Sequence, residues 1–448
     1  MSAKKRATFG GRISAVLVSA GSAIGLGNIW RFPYLAGENG GAAFLLFYVL
    51  AILLIGLPLM LAEFSVGTAT RSSAVAAYRK LGKRWSIVGY IGVLTAIIIL
   101  GFYLVVAGWT AEYTVASLTG ELMAQPNAEA HTAAFQNFIA HPWRPLLYAV
   151  LFALATHLII ALGVQKGIER SSKVMMPLLL LFMVVLAIRS CTLDGGLEGL
   201  RFFLMPDLAK VSASTILAAV GQAFFSLSIG LGTMVVYASY FAPKTDLQHT
   251  AVEVSILDTL VAVLAGLVIF PAVFSAGIEP GSGPSLVFIT LPSIFSKMAF
   301  GGVWATLFFL LLVLAALTST ISMHESFTAY LVDDWKLKRK TAAYLTTGIA
   351  IVLAVVASLS LGDWSGVKLF GMSIFDAMDY ITANIMLPAG ALLTCLFVGW
   401  RMDKQLVTKQ LYPETHPNKW VMRYLRLMWR VGCPLLLVLI FLDSLGFI

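Results

Sequence analysis

Charge is what this chain has least of. Charged residues make up 12% of its 448 residues, while hydrophobic residues make up 59%. Soluble domains carry about 25% charged residues, so a single soluble core is excluded and a polytopic membrane protein is expected. Cysteine is scarce as well. Cys191, Cys395 and Cys433 lie far apart, with no CxxC and no Cys/His spacing of a metal site. Cys395 and Cys433 fall in apolar segments and are expected to pack as small hydrophobes. No HExxH, GxSxG or paired catalytic aspartate motif occurs, so an enzyme is not expected. The net charge is +9, but the basic residues are spread among loops and form no single stripe, so no nucleic-acid partner is expected. Met1 to Arg6 is short and basic, and no cleavage-site pattern follows, so no removed signal peptide is expected.

What the chain has instead is long apolar runs. A spanning helix needs roughly 20 apolar residues. Eleven segments qualify: about 13–36, 41–70, 86–118, 145–163, 167–188, 212–240, 250–276, 302–331, 342–361, 374–400 and 428–446. Residues 279–299 are apolar but carry Pro280, Gly281, Gly283, Pro284 and Pro292, and read as an extracellular hairpin or re-entrant cap. Lys and Arg concentrate at alternate ends of these spans: at residues 4–12, 71–84, 166–173, 244, 336–340 and 401–430. The positive-inside rule then places the N-terminus in the cytoplasm, and eleven spans place the C-terminus, Phe447-Ile448, outside.

Two spans differ from the rest. The first reads Gly21-Ser-Ala-Ile-Gly-Leu-Gly-Asn28, and the sixth reads Phe224-Phe-Ser-Leu-Ser-Ile-Gly-Leu-Gly232. Each carries Gly-Leu-Gly at mid-membrane depth beside small polar residues. They lie five helices apart. Because five is odd, a second copy of a five-helix unit enters the membrane upside down. Paired glycine-broken segments in two halves point to an inverted-repeat transporter with its site at the breaks. The glycines could instead serve close helix packing alone, but two breaks in register with a repeat favour the site.

Glycine weakens a helix by roughly 1 kcal/mol relative to alanine, and unwound backbone in a membrane is tolerated only inside protein or along a polar cavity. An unwound turn frees carbonyls below it, which suit a hard cation. It frees amides above it, which suit a carboxylate. Asn28 follows the first break, Ser226 stands at the second, and Asp258 lies within the seventh span. An aspartate there costs several kcal/mol unless it is paired or faces the bundle interior. The eighth span carries Ala315-Ala-Leu-Thr-Ser-Thr320, which can also simply bond its own backbone. Arg31 with Asp379 toward the outer side, and Arg6 with Asp333 toward the inner, are candidate gate pairs, although Arg6 and Asp333 could equally form ordinary surface contacts. Gly167 and Pro177 bracket the start of the fifth span, where the helix could unwind or simply begin.

Gly21–Tyr34, Glu38-Asn-Gly-Gly41, Gly221–Gly230 and Ala316-Leu-Thr-Ser319 together resemble the neurotransmitter:sodium symporter family over about residues 8–400. The resemblance implies an all-α integral membrane protein of the leucine-transporter fold. It would be a single transporter domain, with repeats at about 8–190 and 210–400 and an eleventh helix at about 427–448. By motif position, one Na⁺ would be held by Ala23, Asn28, Ser226 and Asp258 with the substrate carboxylate. A second would be held by Gly21, Ile24, Ala315, Thr318 and Ser319. Ser22, Leu26, Gly27, Ile99, Tyr103, Phe225, Ser228, Leu231 and Met323 would line the substrate pocket, with Gly25, Ser226 and Ser319 beside it. Tyr103 would bond the substrate carboxylate and Phe225 would lid the pocket. Gln222 would aid the Arg31–Asp379 outer gate, and Tyr240 and Glu325 would flank the Arg6–Asp333 inner gate. Gly167 with Pro177 matches the family's unwinding motif.

Three departures from the family pattern narrow the expectation. Amine carriers have an aspartate where this chain has Gly25, so the substrate here should bring its own carboxylate. Asp258 replaces the asparagine usual in animal members, and Ala262 offers no hydroxyl, which together imply chloride independence. The twelfth helix of many members has no counterpart, as in many bacterial relatives, which implies a prokaryotic inner membrane. The expected partners are an amino acid, two Na⁺ and the lipid bilayer, with no organic cofactor and no obligate protein partner. A channel, an enzyme and a transport-dead sensor are the competing readings. Polar residues gathered at one depth disfavour the channel, whereas nothing in the sequence excludes the sensor. The mainly apolar pocket, with no charged side chain, suggests a neutral hydrophobic L-amino acid, aliphatic or aromatic.

Overall fold

The computed structural model describes residues 6–278, 286–414 and 416–444. Among them, nine helices are long and apolar enough to cross a membrane: Ala42–Thr70, Lys83–Leu118, Arg144–Ala161, Val164–Cys191, Leu247–Ser275, Gly301–Asp333, Arg339–Leu359, Ile374–Arg401 and Lys419–Asp443. The first span is a bent pair, Arg12–Ala23 and Gly27–Glu38, at 53°. The sixth is likewise interrupted, as Ala213–Ser226 and Thr233–Ala238. With these two broken spans the expected eleven are present. The outer faces carry exposed leucine, isoleucine and valine, such as Leu54, Leu158, Ile188 and Val352. A belt of this kind is stable only against lipid.

The breaks have local causes. In the first span, helical hydrogen bonding stops at Ala23, and Ile24 turns to an extended conformation. A β-carbon on Gly25 would lie 2.3 Å from Ser319 Oγ and 3.1 Å from the Tyr103 hydroxyl, so only glycine lets this backbone approach the third and eighth spans. In the sixth span, Ser228, Gly230 and Gly232 take φ values of 53°, 88° and 70°. No α-helix continues through such residues. The Gly230 amide donates instead to Glu63 Oε1 of the second span at 2.7 Å. That buried carboxylate takes the place of a lost helical partner.

Both breaks lie at the centre of the bundle. The third and eighth spans pack along each other, the eighth packs against the first, the third reaches it through Tyr103, and Asn28, Ser226 and Asp258 are all fully enclosed. The first-half helices do not diverge freely. Gln222 Nε2 reaches across from the sixth span to Gly27 O at 2.8 Å, and Ser228 Oγ donates to Ser22 O at 2.8 Å.

One expectation changes here. Within 279–299, residues 279–285 lie outside the described residues, but Leu286–Thr290 and Leu291–Phe295 form a continuous buried helical segment, not a hairpin. Pro292 is the second residue of Leu291–Phe295, at the joint with the preceding π-turn, and the segment continues through it. Around Gly167 the chain is helical. Val164–Glu169 forms a π-turn leading into Arg170–Cys191, and a β-carbon on Gly167 would lie 1.9 Å from Ile159 O. Gly167 here permits a close crossing with the fourth span. Residues 4 and 5 of the basic N-terminus and the C-terminal Phe447-Ile448 lie outside the described residues.

Candidate functional site

The first break, the second break and the seventh span converge on one carboxylate. Asn28 Nδ2 donates to Asp258 Oδ1 and to Ser226 Oγ, both at 2.8 Å, and Ser226 Oγ lies 2.7 and 2.8 Å from the two Asp258 oxygens. Asn28 Oδ1 accepts from the Gly25 amide at 3.2 Å. Tyr48, from the second span, donates to Asp258 Oδ2 at 2.9 Å. Tyr48 was absent from the sequence-derived site, because a tyrosine in an apolar run carries no signal of its own. Among the described residues, no three His, Cys, Asp or Glu side chains converge anywhere. One carboxylate with neutral hydroxyl, amide and carbonyl oxygens is a donor set suited to a hard monovalent cation, so the residues present fit Na⁺.

A second oxygen cluster lies where the first break meets the eighth span. Thr318 Oγ1 is 2.9 Å from Ala315 O and 3.2 Å from Ile24 O. Gly21 packs against the Thr318 side chain. Ser319 points toward Gly25 and stands on the wall of the neighbouring cavity. The Ile24, Ala315 and Thr318 oxygens are thus together.

The cavity beside these clusters is lined by Ser22, Ala23, Gly25, Gly27, Ile99, Tyr103, Phe225, Ser228, Leu231, Ser319, Ser322, Met323 and Leu387. Leu26 contributes its amide, which donates to the Tyr103 hydroxyl at 3.0 Å. No lining residue is charged. Ser322 and Leu387 were missed, since neither sits in a distinctive pattern. Ser319 and Ser322 also make the wall richer in hydroxyls than the sequence suggested. Ser22 Oγ is buried and, among the described residues, has no hydrogen-bond partner. A buried hydroxyl without a partner costs about 1–3 kcal/mol, which a polar ligand group would recover.

Above the cavity, the Arg31 guanidinium lies 4.5 Å from the centre of the Phe225 ring. The expected Arg31–Asp379 ion pair is not made within 4 Å. The guanidinium covers the aromatic face instead, a contact worth about 0.5–2 kcal/mol. Gln222 turns down to Gly27 O and does not join Arg31 to Asp379.

Below the cavity, the residues expected at the inner gate contact one another. Arg6 Nη1 pairs with Asp333 Oδ2 at 2.5 Å, Arg6 Nε donates to Ser239 Oγ at 2.9 Å, and the Arg6 guanidinium stacks 4.6 Å from the Tyr240 ring. Tyr240 donates to Glu325 Oε1 at 2.7 Å, and Arg339 grips both Glu325 oxygens at 2.9 and 2.6 Å. The Arg6 guanidinium is opposed by burial, yet the Tyr240, Asp333 and Glu325 oxygens raise its pKa and keep it charged. Arg339 was missed, because nothing in a helix-start arginine signals a buried partner.

Comparison with known proteins adds a family. The sequence profile of the Sodium:neurotransmitter symporter family matches residues 6–134 and 138–447. A sodium-dependent transporter of Bacillus subtilis, YhdH, of uncharacterized function, is 38% identical over 100% of this chain and 99% of its own length. Human sodium- and chloride-dependent GABA transporter 2 is 30% identical, over 88% of this chain and 73% of its own. The crystal structure of MhsT in complex with L-phenylalanine superposes with a TM-score of 0.90 at 42% identity, covering 98% of this chain and 100% of that one.

Proposed function

We propose that this chain, which belongs to the sodium:neurotransmitter symporter family, carries neutral hydrophobic L-amino acids into the cell together with Na⁺. The fold is that of the leucine transporter, and the chain is a sodium-dependent membrane transporter. The finer reading rests on one observation above all. The cavity has a polar end, made of the broken first span with Tyr103, and an uncharged end of Ile99, Phe225, Leu231, Met323 and Leu387. An amino acid has the same division. Its carboxylate would replace Tyr103 as the acceptor for the Leu26 amide, and its apolar side chain would fill the far end. The L-phenylalanine held by MhsT, a protein of the same fold, supports this class.

One Na⁺ would lie among Ala23 O, Asn28, Ser226, Asp258 and the substrate carboxylate. A second would lie among the Gly21, Ile24 and Ala315 carbonyls and the Thr318 and Ser319 hydroxyls. Sodium thereby stabilises the state that binds substrate, and linkage requires that substrate tighten sodium by the same factor. Transport follows if the Arg6–Asp333 and Glu325–Arg339 contacts open as Arg31 and Asp379 close, with the Gly167–Pro177 segment unwinding to admit water. By the positive-inside rule the N-terminus is cytoplasmic in a plasma or inner membrane. The chain is one transporter domain of two inverted repeats, at about 8–190 and 210–400, plus the eleventh helix.

Chloride independence follows from Asp258. Its carboxylate stands between Tyr48, Ser226 and Asn28, a fixed negative charge where a mobile anion would otherwise balance sodium. In reconstituted vesicles, sodium-driven uptake should persist when gluconate replaces chloride. Collapse of uptake in gluconate would overturn this part of the reading.

A further inference from the structure

Six basic side chains gather where the tenth and eleventh spans meet the membrane surface, and the transport cycle above uses none of them. Two adjoining cavities of about 570 and 390 Å³ share Thr408, Pro417 and Arg426. Lys419, Arg423, Arg426 and Arg430 line the larger, and Lys404 and Lys409 join Arg426 in the smaller. Among the described residues, none of the six has an acidic partner. The two nearby carboxylates are engaged elsewhere. Asp403 accepts from the Gln405 amide at 2.7 Å, and Glu414 pairs with Lys244. Tyr412, on the wall of the smaller cavity, has a buried hydroxyl with no partner among the described residues. Two of the arginines are held in place by aromatic rings. Arg423 lies 5.2 Å from the Trp420 ring and Arg430 5.1 Å from the Trp400 ring, with Arg430 Nε fixed on Gly399 O at 2.7 Å. Trp400 and Trp420 are 65% and 76% exposed, as expected of residues at the headgroup level.

The floor of the larger cavity is apolar. Leu427 and Val431 line it, and Leu435 continues the same exposed face one turn further along the eleventh span. A free phosphate would use the basic wall and ignore this lane. A phospholipid would use both.

We propose that this pocket binds the phosphodiester headgroup of an anionic diacyl phospholipid, with an acyl chain along Leu427, Val431 and Leu435. Juxtamembrane basic clusters attract such lipids through the negative potential of an anionic surface. The inference needs the chain to span a membrane, and stands or falls separately from its substrate.

The test uses the full-length protein in detergent with a photoactivatable phosphatidylglycerol. Crosslinks should map to residues 404–435. A phosphatidylethanolamine analogue should label at least fivefold less, and excess glycerol 3-phosphate or inorganic phosphate should leave labelling unchanged. The Arg423→Gln/Arg426→Gln double variant should lose at least fivefold of the labelling, and Lys404→Gln/Lys409→Gln a smaller share, while Lys83→Gln/Arg84→Gln at another basic loop should lose none. If the arginine double variant fails to fold, the lysine pair and the wild-type crosslink map decide the matter. Equal labelling by the ethanolamine lipid, crosslinks mapping elsewhere, or undiminished labelling of the variants would overturn the proposal. Displacement by free phosphate would overturn the assignment to a lipid.

Discussion

Tyr48 donates its hydroxyl to Asp258 Oδ2 at 2.9 Å, so the second span helps to hold the one carboxylate at the meeting point of the two broken helices. The Tyr48→Phe variant removes that donor and keeps the ring packing. The loss of a hydrogen bond to a charged group is about 1.5–3 kcal/mol, which is roughly a ten- to hundredfold weakening at 1.4 kcal/mol per decade. The apparent Na⁺ affinity, read from sodium titration of substrate binding, should fall by about that factor. Folding, read from melting in detergent, should change far less.

Asp258→Asn tests the fixed charge itself. The side chain keeps its shape and loses its anion. Uptake should drop at least tenfold in gluconate and recover in part in chloride, because a mobile anion can then supply the missing charge. Uptake of the variant that is the same in both media would contradict the account of chloride independence.

Gly25→Ala tests the close approach. The added carbon would lie 2.3 Å from Ser319 Oγ, a separation no real contact tolerates. Binding of substrate should weaken at least tenfold, and Gly25→Ala combined with Ser319→Gly should recover part of it. Calorimetric titration with substrate in saturating sodium checks both.

Glu325→Gln tests the inner gate. Arg339 would keep its burial and lose its carboxylate, and breaking a buried pair costs about 3–5 kcal/mol. The inner side should open more often. A cysteine introduced at Ser22, in the cavity wall, should then react faster with a thiol reagent from the cytoplasmic side, and sodium should slow that reaction less than in the parent. Faster reaction from the outer side alone would count against this gate.

The two breaks were legible because glycine is costly in a helix and appeared at the same depth five helices apart. Asn28, Ser226 and Asp258 were legible because polar groups are rare within spans, and the structure brings the three together. Thr318 with the Ile24 and Ala315 carbonyls is also assembled as expected. Legibility failed where a residue's role depends on neighbours far along the chain. Tyr48 and Arg339 look ordinary until the fold sets them against Asp258 and Glu325, and Glu63 is a lone acid until the Gly230 amide reaches it. The Arg31–Asp379 pair was expected as a contact, but here Arg31 covers Phe225. The 286–295 helix was hidden by prolines, since composition does not tell a proline that a helical segment continues through from one that breaks it.

The most direct test is uptake by the purified protein in liposomes containing potassium, with labelled L-phenylalanine and L-leucine outside. An inward sodium gradient should drive accumulation above equilibrium for one or both, steeply dependent on sodium and abolished when potassium replaces sodium outside. Binding of either amino acid with no accumulation, or counterflow that ignores sodium, would contradict sodium-coupled transport at this site.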